Sequence, residues 1–151
     1  MIEVDHILVP VDFSESTGRV IEWAAHLAEE HQSRITLLHA YHLPVEFQQL
    51  EGAALPADFW TSVRKEAEGN LKGLAEPLRA RGITTDTAAC DGYAATVIVD
   101  EAQEREVDLI VIGTQGLSGL KPLLLGSIAE RVVQKAPCPV LTVKQRTTHG
   151  S

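Results

Sequence analysis

The 151-residue sequence is poor in cysteine, in basic residues and in long apolar runs. Its two cysteines, Cys90 and Cys138, lack a Cys-x-x-Cys spacing, which argues against a zinc site or a disulfide framework. A net charge of -8 argues against a nucleic-acid partner, because nucleic acids are bound by basic surfaces. No apolar run is long enough to span a membrane, and the start, Met1-Ile-Glu-Val-Asp5, does not resemble a signal peptide. We therefore expect no membrane partner and a cytoplasmic location.

Apolar strand-like runs alternate with helical patterns along the chain. We predict strands over residues 7–11, 35–41, 84–90, 107–112 and 140–144, and helices after Ser14 or Ser16 and over residues 58–81, 93–105 and 128–135. A long surface loop is predicted over residues 42–56, and an unstructured tail over residues 146–151. Residues 1–145 then form one α/β domain, in which a parallel sheet carries helices on both faces.

A glycine-rich stretch follows the fourth predicted strand and ends at a helix start. It reads Gly113-Thr-Gln-Gly116, with Gly126-Ser127 after nine further residues. Glycines let backbone N–H groups approach an anion, and the free amides of a helix start favour negative charge. Neither Gly-x-Gly-x-x-Gly nor Gly-x4-Gly-Lys-Ser/Thr occurs, so a phosphate would be held differently from a P-loop. The stretch favours nucleotide binding, and plain turn formation is the alternative reading of its glycines.

The spacing Gly-x2-Gly-x9-Gly-Ser/Thr resembles the nucleotide-binding signature of the universal stress protein family. His6-Ile-Leu-Val-Pro-Val-Asp12-Phe-Ser14 resembles that family's first strand and turn, and Ala136-Pro-Cys-Pro-Val-Leu-Thr-Val143 resembles its last strand. Three motifs in the right order identify the chain as a single-domain member of the ATP-binding branch. The resemblance implies a Rossmann-like, open, parallel five-stranded sheet of order 3-2-1-4-5, with the first and fourth strands side by side where the winding reverses.

The resemblance also implies an adenine-nucleotide site for ATP, ADP or AMP. The matching nucleotide-binding positions are Pro10, Val11, Asp12, Ala40, Ile112, Gly113, Gly116, Gly126, Ser127 and Ile128. Asp12 can accept hydrogen bonds from ribose hydroxyls or hold a metal through water, and capping of the first helix is its alternative role. The backbone of Ala40 matches the position that contacts the adenine edge, although an ordinary strand residue fits there equally well.

A triphosphate bound to so acidic a chain needs local compensation. Backbone amides, the Lys121 side chain or a divalent cation can supply it, so we expect Mg or Mn to accompany the nucleotide. Two positions depart from the commonest family pattern: Gln115 replaces a frequent histidine, and Lys121-Pro122 occupies the middle of the nine-residue insert. Neither change removes a glycine or the serine, so nucleotide binding should survive both.

The last strand is predicted to lie at an open sheet edge, which favours a homodimer through this strand, as in the family. The predicted function is a nucleotide-binding regulatory module in stress response, with a downstream protein partner that the sequence does not identify. One alternative is a slow ATPase or autophosphorylating enzyme on the same fold, for which no general base is evident. The other is a dimeric interaction module without nucleotide, although such members typically lose the glycines that are intact here.

Other combinations of residues carry weaker signals. His39 and His42 have a His-x-x-His spacing, but alternate strand geometry separates their side chains and no third ligand completes a metal site. Ser118 and Ser127 have no evident His-Asp partners, which argues against a hydrolase triad. Trp23 and Trp60, on helical segments, are predicted to be packing residues rather than platforms for base stacking. Cys138 is predicted to be a small buried filler between two prolines.

Overall fold

A computed structural model describes residues 1–42, 58–114 and 126–145. The described residues form strands β1 His6–Pro10, β2 Arg34–Tyr41, β3 Thr85–Asp91, β4 Leu109–Gly113 and β5 Val140–Val143. They also form helices α1 Thr17–His31, α2 Phe59–Ala80, α3 Ala94–Glu104 and α4 Ser127–Lys135. The alternation of strands and helices is therefore as predicted. Within these ranges, none of the helices combines the length and the apolar character needed to cross a membrane.

The five strands form one parallel sheet in the order β3-β2-β1-β4-β5. This is the predicted order, with β1 at the centre: Ile7 pairs with Ile35 of β2 on one side and with Leu109 of β4 on the other. β1 and β4 are parallel neighbours, so their carboxyl ends lie side by side. The direction in which successive strands are added to the sheet reverses between these two strands. Ligands of open α/β sheets bind at such a reversal, beyond the carboxyl ends of the strands.

The sheet separates two apolar layers. Side chains alternate along a strand, so Ile7 and Val9 of β1 pack under α1 and α2, whereas Leu8 packs under α3 and α4. All three are fully buried, as are Leu71 of α2 and Val132 of α4. Burial on both faces explains why the central strands β1 and β4 read as continuous apolar runs rather than as alternating patterns.

Several local predictions need correction. Ser16 lies at the N-cap position of α1, but its side chain makes no capping hydrogen bond. Trp23 is 42% exposed and Trp60 is 38% exposed, so neither belongs to the buried core, although the Trp60 ring packs 6.2 Å from the ring of Tyr41. The predicted end of the helix over residues 58–81 is confirmed: Gly82 has a φ of 86°, in the left-handed region, and the next amide, of Ile83, donates to Leu78 O at 3.1 Å. The predicted loop beyond His42 and the predicted tail lie outside the described residues.

The buried His6 makes the stability of the fold pH-dependent. Its side chain is 4% exposed, and Nε2 lies 2.7 Å from Thr36 Oγ1. Burial, followed by the positive charge of Arg34, lowers the pKa of His6 below its usual 6.5, while the Arg105 backbone and Asp86 act in the opposite direction. The unfolded chain thus takes up the proton more readily than the folded chain does. Above pH 6.5, the pKa of His6 in the unfolded chain, the neutral imidazole makes its full contribution to the unfolding free energy. This contribution is lost as the pH falls through 6.5 towards the lower pKa of the folded chain.

We predict that replacing His6 with glutamine flattens this pH dependence. The glutamine amide reaches the position of Nε2 and can keep the bond to Thr36, but it does not titrate. Urea unfolding of the wild type and His6→Gln between pH 5 and pH 8 measures the effect, expected as a smaller loss of unfolding free energy on acidification in the variant. The other histidines are common to both proteins, so parallel pH profiles would contradict the assignment to His6.

Candidate functional site

A cavity of about 390 Å³ lies at the carboxyl ends of β1 and β4. Its wall is built from the turn between β1 and α1, the end of β2, the end of β4 and the starts of α3 and α4. All the predicted site residues that the structure describes line it: Pro10, Val11, Asp12, Ala40, Ile112, Gly113, Gly126, Ser127 and Ile128. Gly116 and Lys121 lie outside the described residues. The sheet order thus brings together segments that are about a hundred residues apart in sequence.

Asp12 follows β1 directly and organises the turn into α1. Its Oδ1 accepts a hydrogen bond from the Ser14 N–H at 3.0 Å and one from Thr17 Oγ1 at 3.4 Å. These bonds fix the turn that precedes α1: the Ser14 amide lies before the helix, so they differ from the helix cap considered as an alternative role. Asp12 is only partly buried and also lines the cavity, so the same residue fixes the turn and forms part of the cavity wall.

The start of α4 presents backbone amides to the cavity. The first hydrogen bond within this helix runs from Glu130 N–H to Gly126 O at 2.9 Å. The N–H groups of the first helical residues, Ser127, Ile128 and Ala129, therefore have no acceptor within the helix, and all three residues line the cavity. Such amides, with the positive end of the helix dipole, favour an anion such as phosphate.

A backbone hydrogen bond between Gly126 and Thr114 joins the end of β4 to the start of α4. The Gly126 N–H donates to Thr114 O at 2.7 Å, and a Cβ on Gly126 would lie 2.8 Å from that same oxygen. The φ of Gly126 is -64°, which any residue adopts, so glycine is required by close approach rather than by backbone conformation. Thr114 is 4% exposed and its N–H donates to Val143 O at 3.1 Å. No motif in the sequence points to Thr114.

The end of β2 directs backbone polar groups towards the cavity. The Leu38 carbonyl accepts a hydrogen bond from Val11 N–H at 2.8 Å, so Leu38 faces β1. Residues two apart on a strand direct their N–H and C=O groups to the same side, so those of Ala40 also face the β1 side. Because β1 ends at Pro10, they point into the gap beyond that strand, where Ala40 lines the cavity.

The two histidines of the His-x-x-His sequence make separate contacts. His39 lines the cavity, with Nδ1 2.8 Å from Val11 O, whereas the ring of His42 lies 4.3 Å from that of Tyr93. His42 Nδ1 also lies 3.8 Å from Oδ1 of Asp91. Among the described residues, no group of three or more His, Cys, Asp or Glu side chains is placed to hold a metal ion. A cation at the cavity would therefore depend on ligand phosphates in addition to Asp12.

The charges around the cavity are few. Asp12 is the one acidic residue among its described lining residues, and none of them is lysine or arginine. Neither cysteine lines the described cavity wall, and neither is poised as a thiolate: burial, then Glu101, raises the pKa of Cys90, and burial, then Asp108, raises that of Cys138. Cys138 is only partly buried, against the apolar layer under α3 and α4. Among the described lining residues, Asp12 is thus the one that carries a carboxylate, and the other polar groups are backbone groups, hydroxyls and the His39 imidazole.

Comparison with known proteins agrees with this architecture. The profile of the Universal stress protein family matches residues 3–144. Universal stress protein YxiE of Bacillus subtilis is 33% identical over 144 residues, which cover 91% of this chain and 97% of that protein. The solved structure of MJ0577, a universal stress protein of Methanocaldococcus jannaschii, has a TM-score of 0.85 at 26% identity, covering 97% of this chain and 100% of that chain.

A universal stress protein of Archaeoglobus fulgidus, solved in complex with dAMP, shares the fold. Its TM-score is 0.65 at 23% identity, covering 95% of this chain and 100% of that chain. The motifs at both ends of the sequence, the strand order and the profile match over nearly the whole length all agree. The chain belongs to the universal stress protein family.

Proposed function

We propose that this chain binds an adenine nucleotide, ATP or AMP, together with Mg or Mn, and acts as a nucleotide-responsive regulatory module. The observation that carries the proposal is the cavity itself, into which the Asp12 turn and the start of α4 both open. Its volume of about 390 Å³ falls within the range of small-molecule sites, roughly 300–1,000 Å³. The dAMP complex of the Archaeoglobus fulgidus protein supports an adenine nucleotide as the ligand of this fold.

Each part of the wall suits one part of the nucleotide. The backbone N–H and C=O of Ala40, which point into the gap beyond β1, suit the hydrogen-bonding edge of adenine. The Asp12 carboxylate suits the ribose hydroxyls or a metal-bound water. Ile112 and Gly113, at the end of β4, suit the ribose and the first phosphate. The amides at the start of α4 suit the further phosphates, with Lys121 and Gly116 as additional contacts from outside the described residues. A divalent cation then offsets the phosphate charge that the described wall leaves uncompensated.

We predict that nucleotide-free protein binds Mg-ATP saturably and that Asp12→Asn weakens this binding by about tenfold to a hundredfold. That range follows from the ~1.5–3 kcal/mol of a hydrogen bond to a charged group. Asparagine keeps an Oδ1 that can accept from Ser14 N–H and Thr17 Oγ1, so the turn and the melting temperature should change little. Calorimetric titration measures affinity, and thermal melting without nucleotide is the control. Equal affinity of the two proteins would return Asp12 to a purely structural role.

The same titrations separate the alternatives. Omitting the divalent cation tests its part directly, and we expect weaker binding of ATP without it. Release of phosphate, or transfer of labelled phosphate to the protein, would identify a slow enzyme on this fold. Absence of heat and of any thermal shift at millimolar Mg-ATP would refute nucleotide binding and favour a nucleotide-free interaction module.

We also propose that the chain forms a homodimer through β5, which pairs only with β4 among the described strands. Pro139 O accepts from Ile110 N–H at 3.0 Å and Val143 O accepts from Thr114 N–H at 3.1 Å, so these odd-numbered residues face β4. By alternation, Thr142 directs its N–H and C=O to the open edge. A second copy related by a two-fold axis would satisfy these groups in both chains. The downstream protein partner and the cytoplasmic location stay predictions.

A further inference from the structure

We infer that His39 is a positioning residue of the nucleotide site: it holds the turn that carries Asp12 in the conformation that faces the ligand. The inference rests on the proposed function for its effect on affinity, but the turn itself can be examined without nucleotide. His39 lies on β2, is partly buried and lines the cavity.

The imidazole of His39 contacts the residues on both sides of Asp12. Its Nδ1 lies 2.8 Å from the carbonyl oxygen of Val11, the residue before Asp12. A carbonyl only accepts hydrogen bonds, so Nδ1 carries the proton and donates. The centroid of the same ring lies 4.4 Å from that of Phe13, the residue after Asp12, with 39° between the ring planes. One side chain thus holds both ends of the Val11–Asp12–Phe13 turn.

This turn needs such support because its backbone is strained. Phe13 has a φ of 60°, in the left-handed region that bulky residues rarely adopt. The contacts that oppose this strain are the His39 ring, the apolar layer under α1 against which Phe13 packs, and the bond from Ser14 N–H to Asp12 Oδ1. Loss of the His39 bond would let the turn relax, and the Asp12 carboxylate would lose its fixed direction.

Two amide substitutions separate this role from simple packing. His39→Asn places its side-chain nitrogen where Nδ1 stands and can still donate to Val11 O, whereas His39→Gln reaches the Nε2 position and cannot. Both are polar, neutral and lack the aromatic ring, so the loss of the Phe13 contact is common to them. Apart from one methylene group, the difference between them is therefore the hydrogen bond to Val11 O.

The first readout is hydrogen exchange of the Ser14 amide in nucleotide-free protein, which follows the bond to Asp12 Oδ1. We expect His39→Gln to exchange this amide about tenfold faster than the wild type, and His39→Asn to stay within about threefold, as suits the loss or retention of one hydrogen bond. Equal exchange in the wild type and His39→Gln, or equal acceleration in both variants, would overturn the inference.

The second readout is Mg-ATP affinity by calorimetry, expected to fall about tenfold in His39→Gln and to be largely retained in His39→Asn. A wild type that does not bind Mg-ATP would refute the proposed function, while the exchange of Ser14 would still test the turn. If His39→Gln fails to fold, His39→Leu replaces it, because leucine has nearly the shape of asparagine but no donor for Val11 O. Faster Ser14 exchange in His39→Leu than in His39→Asn supports the inference, and equal exchange in these two variants overturns it.

Discussion

Gly126→Ala is expected to lower the affinity for Mg-ATP by at least about tenfold while the protein still folds. The added Cβ would lie 2.8 Å from the backbone oxygen of Thr114, which is too close for any real contact. Gly126 and Thr114 must therefore move apart, and the bond from Gly126 N–H to Thr114 O is weakened or lost. This movement shifts the amides of Ser127 and Ile128 away from the proposed position of the phosphates, whereas the unfolding free energy falls by only about 1 kcal/mol. Calorimetric titration and urea unfolding measure the two effects separately.

Gly73→Ala is the matched control for this substitution. Gly73 lies inside α2, and a Cβ added there meets no atom within 4 Å. Alanine is the better helix former, so this variant should gain about 0.5–1 kcal/mol of stability and bind Mg-ATP as the wild type does. If Gly126→Ala also binds like the wild type, the close approach to Thr114 has no bearing on the ligand, and the phosphate site lies elsewhere.

The strand order and much of the candidate site could be predicted because they depend on patterns and motifs that the sequence displays directly. Buried parallel strands appear as continuous apolar runs, and family resemblance supplied the order that sets Asp12 beside Gly113. Gly126 was also identified from the sequence, but as a residue that lets backbone N–H groups approach an anion. The structure shows that the nearest obstacle is the Thr114 carbonyl, which belongs to the chain itself. Such an approach depends on tertiary geometry, and no residue pattern reveals it.

The contacts of His39 and Phe13 escaped the sequence analysis for the same reason. His39 attracted attention through its spacing from His42, a pattern typical of metal ligands, whereas its observed partners are the Val11 carbonyl and the Phe13 ring. A left-handed backbone is expected at glycine or asparagine, so nothing in the residue type of Phe13 indicates its φ of 60°. Strain of this kind is held by surrounding contacts, and it is visible only once the fold brings them together.

A substitution at the open edge of β5 is expected to have the second large effect, the loss of the proposed homodimer. Thr142→Pro removes an N–H that points away from β4 and leaves the ladder between β4 and β5 intact. In a two-fold interface the same donor is lost from both chains, and each proline ring also intrudes between the paired strands. Thr142→Pro is therefore expected to convert a dimer into a monomer of 16.4 kDa at micromolar concentration, as measured by light scattering.

Two further substitutions show whether the backbone donor is the cause. Thr142→Val keeps the N–H and nearly the same side-chain shape, so this variant should remain dimeric. Lys144→Pro lies just beyond the end of β5 and keeps the carbonyl that accepts from Arg19 Nε at 3.0 Å, so its effect should be smaller than that of Thr142→Pro. A monomeric wild type would refute the dimer itself. A wild-type dimer that persists in Thr142→Pro would move the interface away from β5, because no pairing at this edge can use a donor that proline lacks.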